Sequence, residues 1–161
     1  GVALLIETID KVRDRLNPES AEDRQTYAHR LAHAYMARFN QMVTESSTDA
    51  TIYWNGRRYG NLREEAQFQT QIEIEALPTG GWGYLYFPKN VRNAYNYPKP
   101  YMGMTARFHK SWADFGGLKP YAALEYETSQ IIAHGGRCSI GDQLHPRRTL
   151  DPAAYDLIDR V

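Results

Sequence analysis

Cysteine is nearly absent from this 161-residue sequence, and net charge and long apolar runs are absent altogether. The single Cys138 excludes an internal disulfide framework and any zinc site built on paired thiolates. The 19 Lys and Arg balance the 19 Asp and Glu, so there is no basic excess to hold a phosphate backbone, and nucleic acid is not an expected partner. No apolar run approaches the roughly 18 residues of a membrane span. The apolar start, Gly1 to Ile6, meets Glu7 too early for a signal peptide, so no membrane partner is expected and the cytoplasm is the favoured location. No Walker loop and no G-x-G-x-x-G is present, and neither a metal nor an organic cofactor is expected. What is plentiful is aromatic: 12 Tyr, 5 Phe and 3 Trp make up 12% of the chain, a load that suits either a ring-binding cleft or a Tyr-rich core.

Apolar residues recur at helical spacing over 2–15, and Asn17-Pro18 breaks that pattern. Ser20 is a plausible N-cap, with Glu22 and Asp23 in the first turn, and Tyr27, Leu31, Tyr35, Phe39 and Met42 predict a long helix over about 21–45. Four short strand-like runs follow, Thr51–Asn55, Gln71–Leu77, Met102–Phe108 and Cys138–Asp142, with helices expected at 88–96, at 120–134 and from near Pro152. Gly135-Gly136 should end the second of these. The alternation of strand and helix predicts an α/β fold with a parallel sheet.

Each strand pattern has one apolar and one polar parity. Ile72 and Ile74 alternate with Gln71, Glu73 and Glu75; Met102, Met104, Ala106 and Phe108 alternate with Gly103, Thr105, Arg107 and His109. A sheet covered by helices on both faces would be apolar throughout. A closed (β/α)8 barrel instead turns one parity to its helices and the other to its interior, with the site at the C-terminal mouth. Four βα units are half of such a barrel, which needs about 250 residues. The chain is therefore expected to be a single partial TIM-barrel domain over 1–161, its C-terminal half, strands five to eight. Such a half barrel would leave strand edges open. An antiparallel sheet with one wet face is the alternative, disfavoured by the helical connections.

Glu73 and Glu75 share one strand face about 7 Å apart. In a crowded, partly dry mouth, like charge raises at least one pKa, as a general acid requires, and glycoside hydrolysis uses two such carboxyls. The same pattern also fits an exposed strand with two solvated glutamates. Arg107, His109, Lys110, Trp112 and Asp114 cluster after the third strand, as in a sugar-binding loop, or equally as a loop around a buried Trp. Asp142, Gln143 and His145 end the fourth strand, and Trp82 sits in a Gly-rich loop that also suits a packing plug. His29 and His33 are spaced i, i+4 but lack a third ligand and read as a solvated helix face.

The runs QIEIEALPTGGWGY (71–84), GMTARFHKSWADFGG (103–117) and CSIGDQLHP (138–146) resemble a family of bacterial glycoside hydrolases described as hypothetical glycosyl hydrolases, alpha-amylase family or α-L-fucosidase-like proteins. These often carry a β-galactosidase-trimerisation-like domain. The resemblance spans Leu16 to Val161. It implies a (β/α)8 catalytic domain, a fucosidase- or galactosidase-like activity on a terminal glycosidic bond, a carbohydrate substrate, and a homo-oligomer, such as a trimer, in the full-length protein. It also implies a nucleophilic Asp at the end of a fourth strand that would precede Gly1, so the fragment alone should be inactive. The sequence departs from the family at Gln71, where His is common, at Arg148, where Gly is common, and over 2–15, which lacks the family's cysteines. Glu75 is the expected general acid because it lies nearer the mouth, with Glu73 beside it. Asn55, Arg107, His109, Asp114, Asp142 and His145 are expected to bind hydroxyls, and Trp82 and Trp112 to stack on the sugar. A non-catalytic carbohydrate-binding module or a protein-interaction α/β domain is the alternative.

Overall fold

The computed structural model describes residues 16–57 and 62–161. The helix expected over 2–15 lies outside the described residues. The chain divides into two compact units, Gly1–Ile52 and Tyr53–Val161.

In the first unit, α1 (Ala21–Ser46) starts and stops where its sequence dictates. The Ser20 hydroxyl accepts the Asp23 amide at 3.2 Å, satisfying one of the four orphan donors of the first turn, and Glu22 and Asp23 face the positive end of the helix dipole. At the other end the chain turns extended at Ser47, whose N–H donates to the Val43 carbonyl at 2.9 Å. The His29 and His33 rings sit one turn apart with centroids 4.1 Å from each other.

The second unit is a parallel sheet of three strands in sequential order: β1 (Ile72–Glu75), β2 (Tyr101–Ala106) and β3 (Arg137–Gly141). Helices α2 (Tyr86–Ala94) and α3 (Tyr121–Ala133) connect them, and α4 (Pro152–Asp159) follows. Parallel pairing needs a crossover, and each strand-to-strand connection here supplies a helix. The α3 terminator is as expected: Gly135 takes φ +75°, and the Gly135 and Gly136 amides close onto the Ile132 and Ile131 carbonyls. Asp151 caps α4 by accepting the Ala153 amide at 3.1 Å, with Pro152 in the first turn.

Two expectations need correction. Thr51–Asn55 is not a strand. Among the described residues it joins no ladder: the Trp54 indole N–H donates to the Phe68 carbonyl at 2.9 Å, and a turn at Gly56 (φ +69°) follows the run. The described sheet therefore has three strands where four were expected, and a barrel half is not established by it.

The second correction concerns which way β2 faces. Residues in register share a face in a parallel sheet. Ile72 pairs with Tyr101, and Ile74 with Gly103, which in turn pairs with Cys138. Ile72 and Ile74 pack with Phe87, Val91, Ala94 and Ile131, so this is the face covered by α2 and α3. Gly103 therefore points at the helices and the methionines point away, the reverse of what the apolar pattern predicts. The reason is steric: a Cβ at Gly103 would sit 2.6 Å from both Ile131 Cγ1 and Phe87 Cε2. The helices come so close to the sheet that only glycine fits beneath them. Each fully buried Ile, Val or Phe in this layer contributes roughly 1.5–3 kcal/mol by leaving water. The opposite face carries Glu73, Glu75, Met102, Met104, Ala106, Ser139 and Gly141, and Glu73, Glu75 and Ala106 are buried there.

Candidate functional site

The candidate site gathers at the C-terminal ends of the strands on that face. Glu75, the last residue of β1, accepts one hydrogen bond on each oxygen: the Asn55 side-chain amide donates to Oε2 at 2.7 Å and the Trp112 indole N–H to Oε1 at 2.8 Å. Trp112 reaches Glu75 across the sheet because of what lies beneath it. Its ring meets Phe108 edge to face at 4.8 Å, and Phe108 is buried with Leu77 and Ala106. On β3, Gly141 leaves the indole room, since a Cβ there would be 3.0 Å from Trp112 Cη2. The neighbouring Ala113 has φ 73°, a left-handed conformation that costs a non-glycine residue about 1 kcal/mol or more. Its amide donates to Gln143 Oε1 at 2.6 Å, which ties the Trp112 loop to the segment after β3.

Glu73 lies one layer deeper and is 2% exposed. Burial pushes its carboxyl above the usual carboxylate range; the Glu75 charge adds to that shift, while a hydrogen bond from the Tyr53 phenol opposes it. Tyr53 in turn is raised, chiefly by that same bond to Glu73. Glu73 Oε2 is buried with no hydrogen-bond partner among the described residues. Tyr86 is raised first by burial and second by the Glu75 charge, and its ring meets Trp82 edge to face at 4.9 Å. Trp82 and Trp112 are each 42% exposed. The structure thus gathers Asn55, Glu73, Glu75 and Trp112 with Tyr53 and Tyr86. Sequence reasoning put the two tyrosines in no role. The signal for Tyr53 was there: it shares the Asn55 parity two residues away.

The remaining expected residues lie elsewhere or are engaged internally. Arg107 is buried: its Nε donates to Asp142 Oδ1 at 2.7 Å, and Nη1 donates to the Phe115 and Gly117 carbonyls at 3.1 and 3.3 Å. This guanidinium clasps the end of β2, the 109–118 loop and the end of β3 together. Asp114 folds back within its own loop, its Oδ2 accepting the Lys110 amide at 3.3 Å. His109 is half-buried, with its carbonyl accepting the Thr79 hydroxyl at 2.5 Å. His145 is exposed, its ring 6.1 Å from Phe115.

A second carboxylate cluster, unforeseen in the sequence, lies on the helix side. Lys119 and Glu127 form a buried ion pair, the Thr105 hydroxyl donates to Glu127 Oε2, and Lys119 Nζ donates to Thr105 Oγ1 at 2.8 Å. Burial pulls the Lys119 ammonium below its ordinary value, while Glu127 opposes that shift.

No family model matches the sequence. No curated protein matches it either. Among solved structures, alpha-L-fucosidase isoenzyme 2 from Paenibacillus thiaminolyticus matches with a TM-score of 0.83 and 36% sequence identity, over 96% of this chain. The chain is similar to a region of a fucosidase. It spans 23% of that protein's length, so it corresponds to a part of a much longer chain. At this level of identity the likeness is of sequence as well as fold, and it supports a glycoside-hydrolase-related region.

Proposed function

We propose that this region forms part of the catalytic domain of an α-L-fucosidase-like glycosidase, which hydrolyses a terminal glycosidic bond by carboxylate acid/base chemistry. The observation that carries the reading is Glu75: a strand-end carboxylate held on both oxygens by neutral N–H donors, beside exposed indole rings. Asn55 and Trp112 hold the carboxyl at a fixed position on the strand end. Among the described residues each oxygen is held by one N–H donor, and a carboxyl so placed at a strand end is suited to give a proton to a leaving oxygen or to take one from water. The exposed faces of Trp82 and Trp112 provide the stacking surface for the sugar.

Glu73 takes a different role in this proposal. It is too buried to touch a substrate, and its raised pKa favours the neutral acid beneath Glu75. Glu73 therefore acts through its neighbour at the strand end, as a positioning residue. The nucleophile, and the rest of a (β/α)8 barrel, would come from the remainder of the longer protein.

The test is an assay of the full-length protein on a panel of nitrophenyl glycosides, including the α-L-fucoside and the β-galactoside. Glu75→Gln should lower turnover 10²- to 10⁴-fold. Equal rates in parent and variant would leave a non-catalytic sugar-binding role.

A further inference from the structure

A cleft of about 250 Å³ opens on the other side of the Trp112 loop, lined by Arg107, Phe115, Gln143, His145, Arg147 and the start of α4 through Thr149, Leu150, Asp151 and Pro152. Its chemistry is uneven in a useful way. Arg107 spends Nε and Nη1 on internal partners, and its Nη2 makes no hydrogen bond among the described residues. Gln143 Nε2 is buried and has no partner among them either. His145 Nδ1 accepts the Arg147 amide at 3.2 Å, which in the neutral ring leaves the proton, and a donor, on Nε2. Phe115 and Leu150, 39% and 52% exposed, offer apolar surface in the same wall. The charges balance in number: Asp142 pairs with Arg107, and the lining holds one further cation, Arg147, and one carboxylate, Asp151.

A cleft with spare donors, an exposed aromatic ring and no net charge suits a neutral, hydroxyl-rich ring rather than an anion. Phe115 is three residues from Trp112, so their Cα atoms are at most about 11 Å apart. The cleft and the Glu75 contact thus share one loop, Trp112 on one and Phe115 on the other. Resting on the glycosidase reading above, we propose that this cleft is a subsite for a neutral sugar unit on the leaving-group side of the bond.

The test uses the full-length protein and Leu150→Trp, which fills the cleft from an exposed position and leaves the core untouched. Two substrates are compared: the nitrophenyl glycoside identified in the panel above, and the same terminal sugar linked to lactose. Leu150→Trp should raise KM for the lactose-linked substrate about tenfold and change that for the aryl glycoside less than twofold. Equal effects on both, or none, would overturn the proposal. Direct titration with lactose separates this from the hydrolase reading. The parent should bind lactose at millimolar concentration and Leu150→Trp several-fold more weakly, whether or not any glycoside is hydrolysed. Arg147→Ala, also at an exposed position, should weaken lactose binding in the same direction. A parent that binds no lactose would overturn the subsite.

Discussion

Two carboxylate clusters flank the same small sheet, and they are built on opposite plans. On the helix side Glu127 has its own cation: Lys119 and the Thr105 hydroxyl close a compact buried network with it. On the opposite face Glu75 accepts from an amide and an indole, and Glu73 meets a phenol. A buried ion pair is a closed arrangement that stabilises only as long as both halves remain. On this contrast rests the proposal that one cluster is architecture and the other the site.

The largest expected effect breaks the architectural half of that comparison. Lys119→Met leaves Glu127 buried without its cation and should cost about 3–5 kcal/mol of stability, read from denaturant unfolding. Gly103→Val pushes a side chain into Ile131 and Phe87, which approach within 2.6 Å of any Cβ there, and should cost about 1–3 kcal/mol. A loss below 0.5 kcal/mol would mean that β2 presents its other face to the helices.

A smaller effect sharpens the site half. The Glu73 carboxyl is raised in the folded state, so the native protein takes up a proton before the unfolded chain does as pH falls. The stability from this group is fully present below its unfolded value near 4.5 and is lost as pH rises through the raised value. Relative to Glu73→Gln, the parent should therefore gain stability as pH is lowered from neutrality towards 4.5, and a flat difference would contradict the buried neutral acid. The smallest effect is at Ala113. Replacing this left-handed residue by glycine should relieve about 1 kcal/mol of backbone strain. The gain should be read as a raised Tm, and the loosened Trp112 loop should lower activity modestly.

Much of the described fold was legible in the sequence because local signals and tertiary structure agree there. Ser20, Pro152 and Gly135 punctuate helices where their chemistry says they should, and the three paired strands fall within one or two residues of their expected starts. The misses share a cause, which is that periodicity reports hydrophobicity and not distance. In β2 the methionines read as the core face, yet the helices approach too closely for them and select Gly103 instead. Thr51–Asn55 alternates like a strand but joins no ladder among the described residues. Arg107, read as a sugar ligand from its position after a strand, gives Nε and Nη1 to Asp142 and two loop carbonyls, which its position alone did not foretell. The Glu73–Glu75 pair was legible because a strand of alternating Ile and Glu can hide only one parity under helices.

The most direct test of the division between site and architecture measures turnover and stability together in Glu75→Gln and Glu127→Gln of the full-length protein. Glu75→Gln should lose 10²-fold or more in kcat on the responsive nitrophenyl glycoside and keep its Tm within a few degrees. Glu127→Gln should lose stability while its folded fraction keeps the parent's kcat. Loss of turnover in Glu127→Gln at full stability, or parental turnover in Glu75→Gln, would contradict the assignment of Glu75 to the site.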